Sequence, residues 1–204
     1  MPDESTVFEQ LTREMQAEDA VGLLAAAQLG RSVNELSLVV QTTLFDRSIG
    51  GLRPQTQYVI QASGLAEHKL TLGLFNRIGF VADHPLLYHH NLPRVRVFVG
   101  SPNADPEPLI QAISDAHGQV YDGWRDLEMD LNKLAPLDRV LRAGYGLLGE
   151  MPQPFAKAVS AVLTQHGIQH TLMEDDTPPV PMKLLVLDES YLVGADFTAE
   201  VAGP

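Results

Sequence analysis

The chain contains no cysteine, which removes disulfide frameworks, thiolate-held zinc, iron–sulfur clusters and thiol nucleophiles from consideration. Basic residues are scarce as well. Fourteen Lys and Arg stand against 26 Asp and Glu in 204 residues, a formal charge of -12 with a pI near 4.8. A chain of that balance repels a phosphate backbone, so nucleic acid is not an expected partner. Long apolar runs are missing too. The longest, Ala20 to Ala27, is far below the roughly 20 residues needed to cross a bilayer, so no membrane contact is expected. The opening MPDESTVFEQ is acidic and polar, where a secretory signal has a basic end followed by an apolar core, so a cytoplasmic protein is expected. Finally, there is no HExxH pair, serine elbow or glycine-rich phosphate loop. No catalytic residue and no cofactor is therefore assigned.

What is present reads as an ordinary globular composition, 45% hydrophobic and 20% charged, with both helical and strand periodicities. Ser5 is placed to cap a helix whose apolar positions are Val7, Phe8, Leu11 and Met15, and the alanine-rich stretch Ala20 to Leu29, closed by Gly30, reads as more helix. From Leu36 the period becomes two, through Leu38, Val40 and Leu44, which predicts a half-buried strand. Arg47 to Pro54 reads as a loop, and Tyr58 to Ala62 as the next strand. Between Lys69 and Ala82 nearly every even position is apolar. That parity predicts a hairpin turning near Phe75-Asn76-Arg77, in preference to one long bent strand. Near the end, Thr177 to Met182 carries three prolines and reads as an extended linker. A hairpin turning at Asp188-Glu189-Ser190 comes next, and Glu200 to Pro204 is expected to be loose.

In the middle of the chain Val95, Val97 and Val99 alternate with Arg94, Arg96 and Phe98, which predicts a strand. A helix with the stripe Leu109, Ile110, Ile113 and Ala116 comes after it, ending at His117-Gly118, and Gln119 to Trp124 reads as a second strand. The order recurs 49 residues later, with Gly149 matching Gly100, Val159 matching Ile110, and His166-Gly167 matching His117-Gly118. Two β-α-β halves suggest a ferredoxin-like, split β-α-β arrangement. Leu127 to Leu141, with Pro136 inside, reads as an inserted helical segment between them. The fold expected is α+β: an amino-terminal helix and antiparallel β-meander (1–91), a duplicated β-α-β part (92–176) and a terminal hairpin (183–199), all in one integrated domain.

Three groups of residues are candidates for function. The loops holding Gly100, Ser101, Asn103 and Gly149 precede helix starts, whose free backbone N–H groups can receive a small anionic ligand. In element order this resembles the ACT family of regulatory ligand-binding domains. Arg94 and Arg96, with Phe98, occupy the strand face opposite the valines. In placement only, this resembles the aromatic and basic sheet surface of RNA-recognition modules, and it is also suited to packing within the molecule or against a second copy. His84, His89 and His90 form the densest set of metal-ligand types, the basis of a metal-dependent hydrolase alternative. His117 and His166 read as helix-end caps, and together with His170 supply imidazoles without an evident catalytic partner. The leading expectation is a non-catalytic binding or assembly protein that associates with itself or with another protein. A small-molecule sensor is the alternative.

Overall fold

The computed structural model describes residues 4–30, 32–175 and 177–202, with side chains from residue 7 onward. Helices and three antiparallel sheets make the class α+β. The chain forms two compact units, Met1–Ala82 with Met182–Pro204, and Asp83–Pro181.

The first unit begins with α1 (Glu4–Met15), which turns Val7, Leu11 and Met15 into the core. Ser5 lies within this helix, and its capping side chain falls outside the described ones. The alanine-rich stretch is not helical. It forms β1 (Ala20–Leu29), paired antiparallel with β2 (Glu35–Asp46) from Ala20↔Leu44 to Leu29↔Leu36. Alanine's helical preference is a fraction of a kcal/mol per residue, and a full-length ladder that also buries Leu24 outweighs it. The expected loop at Arg47–Pro54 shrinks to a turn, because β3 (Gly51–Ser63) begins at Gly51 and pairs with β2 as far as Asp46↔Gly51.

The stretch after Lys69 is neither a hairpin nor a long bent strand. β5 (Gly73–Phe75) joins β1, whereas β6 (Ile78–Val81) joins β10 (Lys183–Leu187) in another sheet. Parity misleads here because the two short strands serve different sheets: odd-numbered Phe75 is buried while Leu72 and Leu74 are exposed. With β4 (Glu67–Lys69), β11 (Ser190–Gly194) and β12 (Asp196–Val201), the sheet orders are β12-β3-β2-β1-β5 and β4-β11-β10-β6. The terminal hairpin β10–β11 turns at Asp188-Glu189, as expected. Glu200 and Val201, expected to be loose, pair with Val59 and Tyr58; the last two residues of that stretch lie outside the described ones. Leu36, Leu38 and Val40 from β2, Tyr58, Ile60 and Ala62 from β3, and Leu185, Leu187 and Leu192 share one core with α1.

In the second unit β7 (Arg94–Val99) is the central strand, flanked by β8 (Gly146–Pro152) and β9 (His170–Glu174) in the order β8-β7-β9. Both neighbours run antiparallel to β7, so β8 and β9 are parallel to each other and α5 (Gln153–Gln165) connects them. Val95, Val97 and Val99 are buried with the inward stripes of α5 and α3 (Glu107–Tyr121). Alternation puts Arg94, Arg96 and Phe98 on the other face. The expected strand at Gln119–Trp124 is instead the end of α3, which runs to Tyr121 and closes on Asp122 in the left-handed region. The 49-residue correspondence therefore joins unlike places, since Gly100 follows β7 whereas Gly149 lies inside β8. The inserted segment is one 3-10 turn at Leu127–Met129 and then α4 (Leu137–Ala143). Residues 177–182 have no regular secondary structure and lead the chain back to the first unit. Among the described residues, no helix is long and apolar enough to cross a membrane.

Candidate functional site

The two helix starts do not lie together. Gly100 comes after the carboxy end of β7 and α5 after the carboxy end of β8, and because these neighbours are antiparallel the two places fall at opposite ends of the sheet. Their polar groups are also engaged. Gly100 N–H donates to the Gln169 carbonyl at 2.7 Å, Ser101 Oγ accepts from Gln169 N–H at 2.9 Å, and Asn103 Oδ1 accepts from Asp105 N–H at 3.0 Å. Gly149 is buried, and a Cβ there would run into the Asp130 carbonyl oxygen, so its missing side chain serves packing. Arg94 and Arg96 are both tied to Glu150 on the neighbouring strand, at 3.1 and 3.2 Å.

The histidines separate in the same way. His84 caps a short 3-10 turn by accepting from Leu86 N–H through Nδ1 at 3.2 Å, and its ring lies edge-on to Trp124. His90 is half-buried on α2 (Tyr88–Asn91). His166 stands at the carboxy cap of α5, where its backbone N–H donates to the Val162 carbonyl at 3.1 Å. Among the described residues, no group of three or more His, Asp or Glu is arranged to hold a metal ion.

His89 belongs to a constellation that local sequence patterns do not reveal. Its Nε2 lies 2.8 Å from Asp130 Oδ1 and 3.1 Å from the Tyr121 hydroxyl. Its Nδ1 lies 3.4 Å from an Arg94 nitrogen. A guanidinium only donates, so Nδ1 accepts, and Nε2 carries the proton given to Asp130. From the opposite side His117 Nε2 faces Asp130 Oδ2 at 3.7 Å, beyond hydrogen-bond reach, and neither atom has another hydrogen-bond partner. His117 is therefore not a helix-end cap: it sits inside α3, one turn before Tyr121 and on the same buried stripe. The rings of Tyr121, His117 and Phe155 pack mutually, with centroids 4.6 to 5.8 Å apart. The Asp130 side chain is 0% exposed. Burial, reinforced by Asp130, holds the Tyr121 hydroxyl far above its usual proton affinity. With no solvent-facing atom on the carboxylate, this group works as a polar clasp joining α2, α3 and the segment between α3 and α4.

That clasp makes stability depend on pH. Burial is the largest influence on His117 and lowers its proton affinity, while Asp130 and Asp126 pull the other way. His84 is lowered by burial too. The unfolded chain thus takes up protons before the folded unit does. Stability is full above about pH 6.5, the ordinary histidine value. As pH falls it declines by up to ~1.4 kcal/mol per pH unit for each such histidine, until the folded-state value is passed. Urea denaturation between about pH 8 and pH 5 checks this. His117→Leu should remove one proton's share of the slope; an unchanged slope would disprove the assignment.

The first unit presents a different feature, an open sheet edge. β5 covers β1 only at Gly22–Leu24. Gly30 N–H donates to the Glu35 carbonyl at 2.9 Å. In the register that this bond fixes, the backbone groups of Gln28 and Ala26 point toward β2, and those of Ala27 and Leu29 point away from it. Among the described residues, nothing pairs with the outer side of Ala25–Leu29. Leu29, Val33, Leu72 and Leu74 are 59% to 87% exposed.

No family model, curated protein or solved structure matches the chain.

Proposed function

We propose that the protein is a binding and assembly module that pairs with a second copy of itself through the outer edge of β1. The carrying observation is the outer side of Ala25–Leu29, which has no backbone partner among the described residues. Exposed edges are ordinarily blunted with lysine, proline, inward-pointing charge or a β-bulge; this one has a register shift between Leu24 and Ala26, but beyond it no proline, and no charged residue occurs from Ala20 to Leu29. Two identical antiparallel edges are complementary about a two-fold axis, so a second copy fits without further design. At a net charge of -12, copies repel over most of their surface, and an uncharged ribbon is where they approach most easily. The second unit, in this reading, is a ferredoxin-like platform whose arginines are held within its own sheet. The sensor reading loses its support, because its two loops lie at opposite ends of β7 and β8.

Five residues of ribbon with a few leucines are less than the roughly 1,000 Å² of a firm interface, so the dimer should be concentration-dependent. Light scattering across a dilution series is expected to show monomer passing to dimer. Ala27→Pro removes only an outward N–H and leaves the β2 ladder intact. By symmetry two hydrogen bonds are lost, at about 0.5–1.5 kcal/mol each, which should weaken the dimer roughly tenfold or more. A wild-type protein that stays monomeric at millimolar concentration, or an A27P variant that dimerises unchanged, would refute the proposal.

A further inference from the structure

Ser160 Oγ lies 2.7 Å from His170 Nε2, and His170 Nδ1 lies 3.0 Å from the Ile168 carbonyl oxygen. A carbonyl oxygen carries no proton, so Nδ1 holds the imidazole hydrogen and the lone pair of Nε2 faces the hydroxyl. Ser160 must then be the donor. Nucleophile, base and orienting acceptor stand in the order that activates a serine. Both partners rest on firm supports. Ser160 is in α5, where its carbonyl accepts from Thr164 Oγ1 at 2.8 Å. His170 opens β9, and buried Ile168 donates its N–H to the Leu163 carbonyl at 2.8 Å. Both side chains are half-buried, so a small reagent can reach them, unlike the enclosed Asp130.

The same geometry limits the reaction once attack has occurred. Ser160 lies in the later half of α5, toward the negative end of the helix dipole, and its own N–H is directed along the helix. Neither feature favours an oxyanion, which efficient turnover requires. We propose that Ser160 is an acyl-acceptor site, taking one acyl group from an activated ester and retaining it. As the Oγ–C bond forms, the hydroxyl proton passes to His170 Nε2 and the carbonyl electron pair moves onto oxygen. When that pair returns, the bond to the leaving group breaks and the departing oxygen takes the proton from Nε2. The products are acyl-serine and the free alcohol or phenol, with nothing else consumed.

The probe is p-nitrophenyl acetate on the full chain, monitored by phenol release, intact mass and peptide mapping. One acetyl group per chain on Ser160 is expected, with phenol released as a single burst. Ser160→Ala should abolish that burst, and His170→Gln should slow it roughly 100-fold; circular dichroism confirms that each variant is folded. Three results would overturn the proposal: no acetyl on Ser160, an equal rate in a folded H170Q variant, or continued turnover in place of a single burst. None of them bears on the β1 edge, whose test is the oligomeric state.

Discussion

Replacing Asp130 with alanine is expected to remove about 3–5 kcal/mol from the stability of the second unit. The carboxylate accepts from His89 Nε2 at 2.8 Å and meets the Tyr121 hydroxyl at 3.5 Å, with no solvent contact of its own. Alanine leaves the Tyr121 hydroxyl proton buried without an acceptor, which costs about 1–3 kcal/mol, and makes His89 Nε2 exchange a charged acceptor for its 3.1 Å contact with that hydroxyl. It also removes the negative charge that offsets Arg125, whose positive charge is felt by both His117 and Tyr121. Asp130→Asn keeps an acceptor oxygen and loses the charge, so its cost should be smaller, about 1–3 kcal/mol. The one tryptophan, Trp124, lies in this unit. Its fluorescence during urea denaturation therefore reports the second unit without contribution from the first. Equal stability of wild type and D130A would mean that the carboxylate holds nothing together.

How far the chain can be read depends on whether a feature is local. Val95, Val97 and Val99 alternate with Arg94 and Arg96 because one strand has one buried face, and the structure keeps that alternation residue by residue. The β10–β11 turn and the proline-rich connection after Thr177 arise from local backbone preferences in the same way. β1 departs from its composition because four alanines between Ala20 and Ala27 promote helix, and only its partner, β2, decides otherwise. The end of α3 is legible in principle. Leu109, Ile113, Ala116, His117 and Tyr121 continue one helical stripe past Gly118, and the true stop is Asp122-Gly123. That stripe makes His117 a core residue and not a cap. The Asp130 clasp has no such signal: His89 and Asp130 are 41 positions apart, and only the packing of α2 and α3 around the segment after Met129 brings them together. The ties from Arg94 and Arg96 to Glu150 depend likewise on the pairing of β7 with β8.

The second large effect is expected at Gly144, which ends α4 with φ of 72° and donates its N–H to the Val140 carbonyl. An alanine there faces two separate costs. The left-handed conformation disfavours any Cβ by roughly 1–2 kcal/mol. The added carbon would also overlap Pro102 N and Cα and the Ser101 carbonyl carbon. These are backbone atoms, and the loop that carries them is held in place, since Asn103 N–H donates to the Leu141 carbonyl at 2.9 Å and Ser101 Oγ accepts from Gln169 N–H. Relief therefore requires moving backbone, at about 1–3 kcal/mol for overpacking of this kind. Gly123 separates the two costs, because it has φ of 77° with nothing within 4 Å of an added Cβ. Gly123→Ala should lose only the conformational part, and Gly144→Ala about 2–5 kcal/mol in all, both read from Trp124 fluorescence in urea. Equal losses in the two variants would mean that the loop yields freely, and that Gly144 is required for its backbone angle alone.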